Sequence, residues 1–538
     1  MNETAYTDNL FAYNRIPTER VNVGNISIGA DAPIRVQSMT TTDTNDVTAT
    51  ADQSERIVLA GGELVRFTTQ GVREARSAGL VKQELLRRGV STPIVADVHF
   101  SPTAAITAAA LVDAVRINPG NFTGEAKKFD SSADNMSDSQ WHDLLIEKLR
   151  PLVSECISHN TALRLGINHG SLSDRIMARY GDTPQGMVAS CTEYLDALEE
   201  LGFFRTVISI KSSNTRVMVH TVRLLIATLR SRSRVYPLHL GVTEAGSDAE
   251  GRIKSAAGIG ALLADGIGDT IRVSLTEEPE AEIPVARMLV SHVDSWHGVS
   301  VPHLSDTSAY SPYAYRRRQS SSVGMLGGSN PPTFLSSLDD LSADSVRIFT
   351  PQSASPAIEV RAEVLRMEAS ADHRPIVVCY NSDIRNYEAF QVVAAADLGL
   401  LFIDGLVDGL YLANPNLTHS QLSNFADMLL QATRARFSHA EFISCPGCGR
   451  TLYDLRTTTR TIKQRFGHLK DIKIGIMGCI VNGIGEMADA DYGYVGAARG
   501  SVSLYRGKTL IERNIPTEQA IARLEQIIRG DGKWKDPF

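Results

Sequence analysis

Short apolar runs alternate with helix-period stretches through the first half of the chain. The runs are Ile34–Ser38, Glu63–Phe67, Ile94–Asp97, Ala114–Asn118, Leu163–Asn168, Val207–Lys211, Leu238–Val242 and Thr270–Ser274. Apolar residues at helical spacing separate most of them, as at Ala104–Leu111 and Met218–Leu229. Eight such βα units in about 280 residues predict an α/β chain that opens with a (β/α)8 TIM barrel. An open doubly wound sheet is the rival arrangement, but no G-x-G-x-x-G follows the first run.

The pattern then changes twice. From His292 to Ser336 periodicity is lost and Ser, Tyr, Pro and Gly accumulate, which predicts a linker with Arg316–Arg318 in a solvated loop. From Ser337 to His439 a second βα pattern predicts strands at Ser345–Phe349, Ile376–Cys379, Leu400–Ile403 and Leu410–Leu412, with Cys379 in the core. The final stretch predicts a small α+β unit. Its helices are Leu452–Phe466 and Thr517–Ile528, and its strands Ile472–Ile476, Tyr492–Val495, Val502–Tyr505 and Thr509–Glu512. The expected division is 1–291 (barrel), 292–439 (linker and α/β insert, structural or interfacial) and 440–538.

Polar residues recur at or after the ends of the barrel runs: Gln37, Arg66, Asp97, His99, Arg116, Asn118, Arg164, Asn168, Lys211, Asn214, Glu244, Arg272 and Ser274. One charged strand end is ordinary solvent capping. Repeated around a barrel, such residues converge on its C-terminal mouth, where barrel enzymes place their sites. Five of the strands offer Arg or Lys, so the mouth should be a cationic bowl for a phosphorylated small molecule, because guanidinium matches phosphate oxygens in bidentate fashion.

Composition narrows the class. The chain has 538 residues, 43% hydrophobic and 21% charged, which suits a soluble multidomain protein. A net charge of −7 argues against general nucleic-acid binding, so phosphate-binding charge must be local. The apolar stretch Ala394–Ala413 is interrupted by Asp397, Asp404 and Asp408 and reads as buried chain, not as a membrane span. The first thirty residues lack a signal or transit pattern, and only Cys156, Cys191 and Cys379 lie scattered outside the C-terminal cysteines, which does not resemble a disulfide framework. A cytoplasmic location is expected.

Three cysteines cluster late, as Cys445-Pro-Gly-Cys448 and Cys479-Ile-Val-Asn-Gly-Ile-Gly-Glu486. The spacing is that of a metal site with one sulfur too few. Either an oxygen or nitrogen ligand completes it, or one position stays open for chemistry.

These motifs carry a resemblance. Cys445 to Leu455 and Ile476 to Gly493 resemble the 4-hydroxy-3-methylbut-2-enyl diphosphate synthase family of the non-mevalonate isoprenoid route. So do Ile34-Arg-Val-Gln-Ser-Met-Thr40, Val115-Arg-Ile-Asn-Pro-Gly120, Asn168-His-Gly-Ser-Leu-Ser-Asp-Arg175, the stretch Pro237–Gly246 and Gly268-Asp-Thr-Ile-Arg-Val-Ser274. The likeness covers roughly 20–290 and 440–535, and the insert is similar to that of the family's three-domain form; Ile484 stands where the family usually has proline. The resemblance implies a [4Fe–4S] cluster on Cys445, Cys448 and Cys479, with Glu486 as an exchangeable oxygen ligand. It implies 2-C-methylerythritol 2,4-cyclodiphosphate as substrate, held by Arg66, Arg116, Arg164, Lys211, Arg272 and Ser274 with Asn168 in support. Glu244 is the implied general acid/base, Asp97 and His99 are weaker candidates, and His239 is taken as core packing. Electrons would come singly from reduced ferredoxin or flavodoxin, in a monomer or homodimer, and 292–336 and 436–440 are the expected hinges. A zinc-dependent hydrolase or lyase, and a non-catalytic phosphate-ligand binding protein with a structural metal, remain as alternatives.

Overall fold

The computed structural model describes residues 5–123, 136–232, 234–302, 310–487 and 489–536. All eight early runs form barrel strands: β1 (Arg35–Met39), β2 (Leu64–Thr69), β3 (Ile94–Val98), β4 (Ala114–Ile117), β5 (Ala162–Asn168), β6 (Thr206–Lys211), β7 (His239–Leu240) and β8 (Thr270–Ile271). They pair in parallel in the order β6-β5-β4-β3-β2-β1-β8-β7. A parallel bridge between Ile208 and Leu238 closes the ring. A hairpin of Val21–Val23 and Ile26–Ile28 packs on Leu64, Val95, Ala114, Ala162 and Val207, so the N-terminal end is plugged. Chemistry is left the other end. Two of the polar strand ends serve the backbone there: Asn118 Oδ1 caps Gly120 N–H at 3.0 Å, and Asn214 Oδ1 caps Arg216 N–H at 3.1 Å.

The insert is a parallel sheet of β9 (Thr333–Leu335), β10 (Arg347–Phe349), β11 (Ile376–Asn381) and β12 (Gly409–Ala413), ordered β9-β12-β11-β10. Leu400–Ile403, expected as a strand, is instead the last turn of the helix Tyr387–Ile403. A run that is apolar on every face fits a buried helix as well as a buried strand, and here both flanks of the helix are covered. It crosses the barrel helix Asp248–Ala264 so closely that a Cβ on Gly399 would stand 2.6 Å from Ala257 Cα, and one on Gly260 2.6 Å from Ala396 Cα.

Barrel and insert thus share one continuous apolar core. Buried charges reinforce it. Arg223 donates to Asp265 at 2.8 Å and to Asp404 at 2.7 and 3.0 Å, and Arg361 of the insert donates to Asp265 at 2.7 Å. Removing one partner would strand a buried charge, so the network fixes the insert's seat. Two expectations are corrected here. Arg316 is exposed, but Arg317 pairs with Asp408 at 3.0 Å and buried Arg318 with Glu368 at 2.8 Å, so the triplet straps the insert. The stretch 292–336 therefore joins two halves of one core and is no hinge between them; its residues 303–309 lie outside the described residues.

The C-terminal unit is a five-stranded sheet, β13 (Glu441–Ser444), β14 (Lys473–Met477), β15 (Tyr492–Ala498), β16 (Ser501–Arg506) and β17 (Thr509–Pro516), in sequence order. The first three strands run parallel and the last two antiparallel. Its core, built from residues such as Leu455, Ile462, Phe466, Ile474 and Tyr494, is separate from that of the barrel and insert. Sequence periodicity missed β13. The glycine-containing stretch after Cys479 is also helical, over Ile480–Glu486. Glycine lowers helix propensity, but burial of the following Met487 in its own small core outweighs it. Among the described residues no helix is long and apolar enough to cross a membrane.

Candidate active site

Every residue that the family resemblance implied for substrate, cluster or acid/base work lines one cavity, about 800 Å³ with its mouth included, between the barrel and the C-terminal sheet; of the polar strand ends, Gln37, Asn118 and Asn214 do not line it. The barrel contributes Arg66 from β2, Arg116 from β4, Arg164 and Asn168 from β5, and Lys211 from β6. Glu244 follows β7, and Arg272 and Ser274 follow β8. The opposite wall holds Cys445 and Cys448 after β13, Cys479 after β14, and Glu486 at the end of the short helix.

The bowl is cationic but not uniformly so. Asp97 lies 3.2 Å from Arg116 and 3.8 Å from Arg66; burial would raise its carboxyl, but these two guanidiniums hold it well below the usual range. Arg272 is held by a carboxylate that sequence did not point to. Glu282, at the start of a barrel helix, accepts two hydrogen bonds from it at 2.9 Å. Arg164 donates to Gln37 at 2.6 Å. Lys211 has no carboxylate partner among the described residues, and burial followed by the surrounding arginines pushes its ammonium well below its ordinary value. His99 is pushed down to about 4 by burial and is neutral, consistent with a ring nitrogen accepting from Arg116 at 2.9 Å. His239 is buried in the barrel, 3.3 Å from Thr270 Oγ1, and burial holds it neutral as well.

The two walls meet directly. Asn168 donates to Glu486 Oε1, and its own Oδ1 accepts from Arg116 at 2.8 Å. Ala245 forms a parallel bridge with Ser444, and Thr276 Oγ1 donates to the Cys445 carbonyl at 3.1 Å. Gly170 and Gly485 touch backbone to backbone, where any side chain would collide. Glu244, beside this seam, adopts the left-handed region at φ 48°, a strained conformation for a non-glycine residue. Its Oε2 is buried without a partner; burial, and then Glu486 opposite, push its carboxyl well above the ordinary range.

Cys445, Cys448 and Cys479 form no disulfide, and each is half-buried. Burial and then the neighbouring Cys448 push the Cys445 thiol up, a crowding of potential thiolates that a bound cation would relieve. Gly447 N–H points at Cys445 Sγ from 3.3 Å. Glu486 Oε2 is buried with no partner. Among the described residues no three His, Cys, Asp or Glu side chains come together closely enough to hold a single ion. Sequence reasoning missed Glu282, Thr276 and Arg450. Only Arg450 had a signal, its place two residues beyond the C-x-x-C pair.

A barrel mouth built to bind a small anion, sealed by a domain that presents three thiols and a carboxylate to it, defines an enzyme whose site is shared between two domains. The comparisons narrow this further. Residues 18–287 match the GcpE TIM-barrel domain, and residues 441–530 match the GcpE protein C-terminal domain. The chain is 44% identical to the 4-hydroxy-3-methylbut-2-en-1-yl diphosphate synthase (flavodoxin) of Parabacteroides distasonis, covering 97% of this chain and 99% of that one. It is 35% identical to the synthase of the same name from Leptospira interrogans, with 99% of each chain covered. The chain belongs to the GcpE family of 4-hydroxy-3-methylbut-2-en-1-yl diphosphate synthases. That membership sets aside the hydrolase and binding-protein alternatives.

Proposed function

We propose that the chain reduces 2-C-methyl-D-erythritol 2,4-cyclodiphosphate to (E)-4-hydroxy-3-methylbut-2-enyl diphosphate, taking two electrons one at a time from reduced flavodoxin, the donor named for its relatives. The observation that carries this reading is the placement of a buried cationic bowl and a three-thiol, one-carboxylate wall on one cavity.

The donor set fits an iron–sulfur group. Cys445, Cys448 and Cys479 would hold a [4Fe–4S] cluster, and the unpartnered Oε2 of Glu486 would supply an oxygen ligand that substrate can displace. When bound, such a cluster supplies single-electron transfer, which no side chain in the cavity can provide. The chain's own residues do the rest. Arg66, Arg116, Arg164, Lys211, Arg272 and Ser274 bind the diphosphate, with Asn168 in support, and hold it in a site from which closure excludes water. Glu244, kept protonated by burial and by Glu486, gives its proton to the departing hydroxyl, which leaves as water. The same reading assigns 1–291 to substrate, 292–439 to support and 440–538 to redox chemistry.

Protein prepared without oxygen should be brown, bleach on reduction, and turn over the cyclic diphosphate with reduced flavodoxin. A colourless, zinc-loaded protein still inactive after iron–sulfur reconstitution would overturn the proposal.

A further inference from the structure

The cations that line the cavity are not equivalent. Arg66 and Arg116 face Asp97, Arg272 is clasped by Glu282, and Arg164 donates to Gln37. Arg450 differs in its origin. It is the one cation in the cavity wall, among the described residues, that the thiol-bearing domain contributes. Like Arg164, it forms no ion pair with a carboxylate among the described residues, and its Nε is buried with no hydrogen-bond acceptor. A buried guanidinium nitrogen in that state is unfavourable unless a ligand oxygen reaches it.

The turn that carries Arg450 is seated on the barrel. A Cβ on Gly449 would stand 2.5 Å from the Thr42 carbonyl oxygen, so this backbone approaches the bowl only while the two domains are together. The titratable groups that act on the guanidinium come from both sides of the seam: Cys448, Cys479 and Cys445 on its own domain, and Asp97 on the barrel. It stands where the thiol wall ends and the anion bowl begins.

We infer that Arg450 binds the anionic end of the substrate across the seam, so that an occupied bowl holds the thiol-bearing domain closed. The inference rests on the reading of the bowl as a diphosphate site. A planar guanidinium can take two oxygens of one phosphate, and a ligand that touches both domains binds only their closed arrangement and therefore shifts the population toward it.

Inorganic pyrophosphate is a sufficient probe. Its affinity for cluster-loaded protein is measured anaerobically by calorimetry, and compaction on binding by small-angle scattering, for wild type, R450Q, R450K and R66Q, with iron content checked in each. R450Q is expected to weaken binding by about 10-fold or more and to lose the ligand-induced compaction. R450K should fall between R450Q and wild type, and supplies the comparison if R450Q does not fold. R66Q should weaken binding yet still compact at saturation, because Arg66 belongs to the barrel. Wild-type pyrophosphate affinity in R450Q, with R66Q weakened, overturns the inference and leaves the diphosphate reading standing. Loss of iron from R450Q with binding intact also overturns it, because Arg450 would then serve the thiols. Unchanged binding in both R450Q and R66Q removes the diphosphate reading and the inference with it.

Discussion

Asn168, on the fifth barrel strand, donates its amide N–H to the Glu486 carboxylate of the C-terminal domain. Arg116 orients that amide by donating to its oxygen at 2.8 Å, and Asp97 steadies Arg116 at 3.2 Å. A polar chain therefore runs from the floor of the bowl to the residue expected to complete the cluster's ligand set, and it exists only in the closed arrangement.

Asn168→Asp sets a carboxylate against Glu486 and removes the donor. Loss of a hydrogen bond to a charged group, about 1.5–3 kcal/mol, should lower kcat/KM roughly 10- to 100-fold. The protein should also be larger by small-angle scattering. Wild-type kinetics and dimensions would show that this bond does not hold the domains together.

Glu244→Gln keeps the size and the left-handed turn but removes the proton. Turnover should fall by about 10²- to 10⁴-fold, while iron content and substrate affinity stay near wild type. Normal turnover would take the acid role from Glu244.

Lys211 gives the site a pH dependence whose sign can be worked out. Its ammonium is depressed in the free protein by burial and by the neighbouring arginines. A bound diphosphate restores the charged form, so binding should take up a proton, and affinity should fall as pH rises through the depressed value. Calorimetry in buffers of different ionisation enthalpy measures the uptake. Lys211→Met should abolish it; uptake that persists in that variant would assign it to another group.

Gly399→Val forces a branched side chain into a helix crossing where even a Cβ would stand 2.6 Å from Ala257 Cα. Overpacking of about 1–3 kcal/mol or more should lower the melting temperature, with barrel and insert losing structure in separate steps. A wild-type melting curve would mean that the insert is not seated as described.

Much of this molecule was legible in its sequence, and the errors have physical causes. Period-2 and period-3.6 patterns are local, so all eight barrel strands could be found, and the barrel's topology then sent Arg66, Arg116, Arg164, Lys211 and Arg272 to one mouth. Leu400–Ile403 was misassigned because a segment buried on all sides carries no periodicity to read. The Arg316–Arg318 strap was missed because Asp408 and Glu368, its partners, are far along the chain.

The sequence by itself determined the chemical inventory: three thiols at metal-site spacing, to which the family resemblance added Glu486, and a ring of cations on successive strands. Those follow from covalent order and short-range periodicity. Only the tertiary structure decided that Glu282 neutralises Arg272, that the insert is fused to the barrel core, and that Asn168 meets Glu486. Each of these joins side chains from elements that pair only when helices and domains pack, and the burial created by that packing sets the protonation of Glu244 and Lys211.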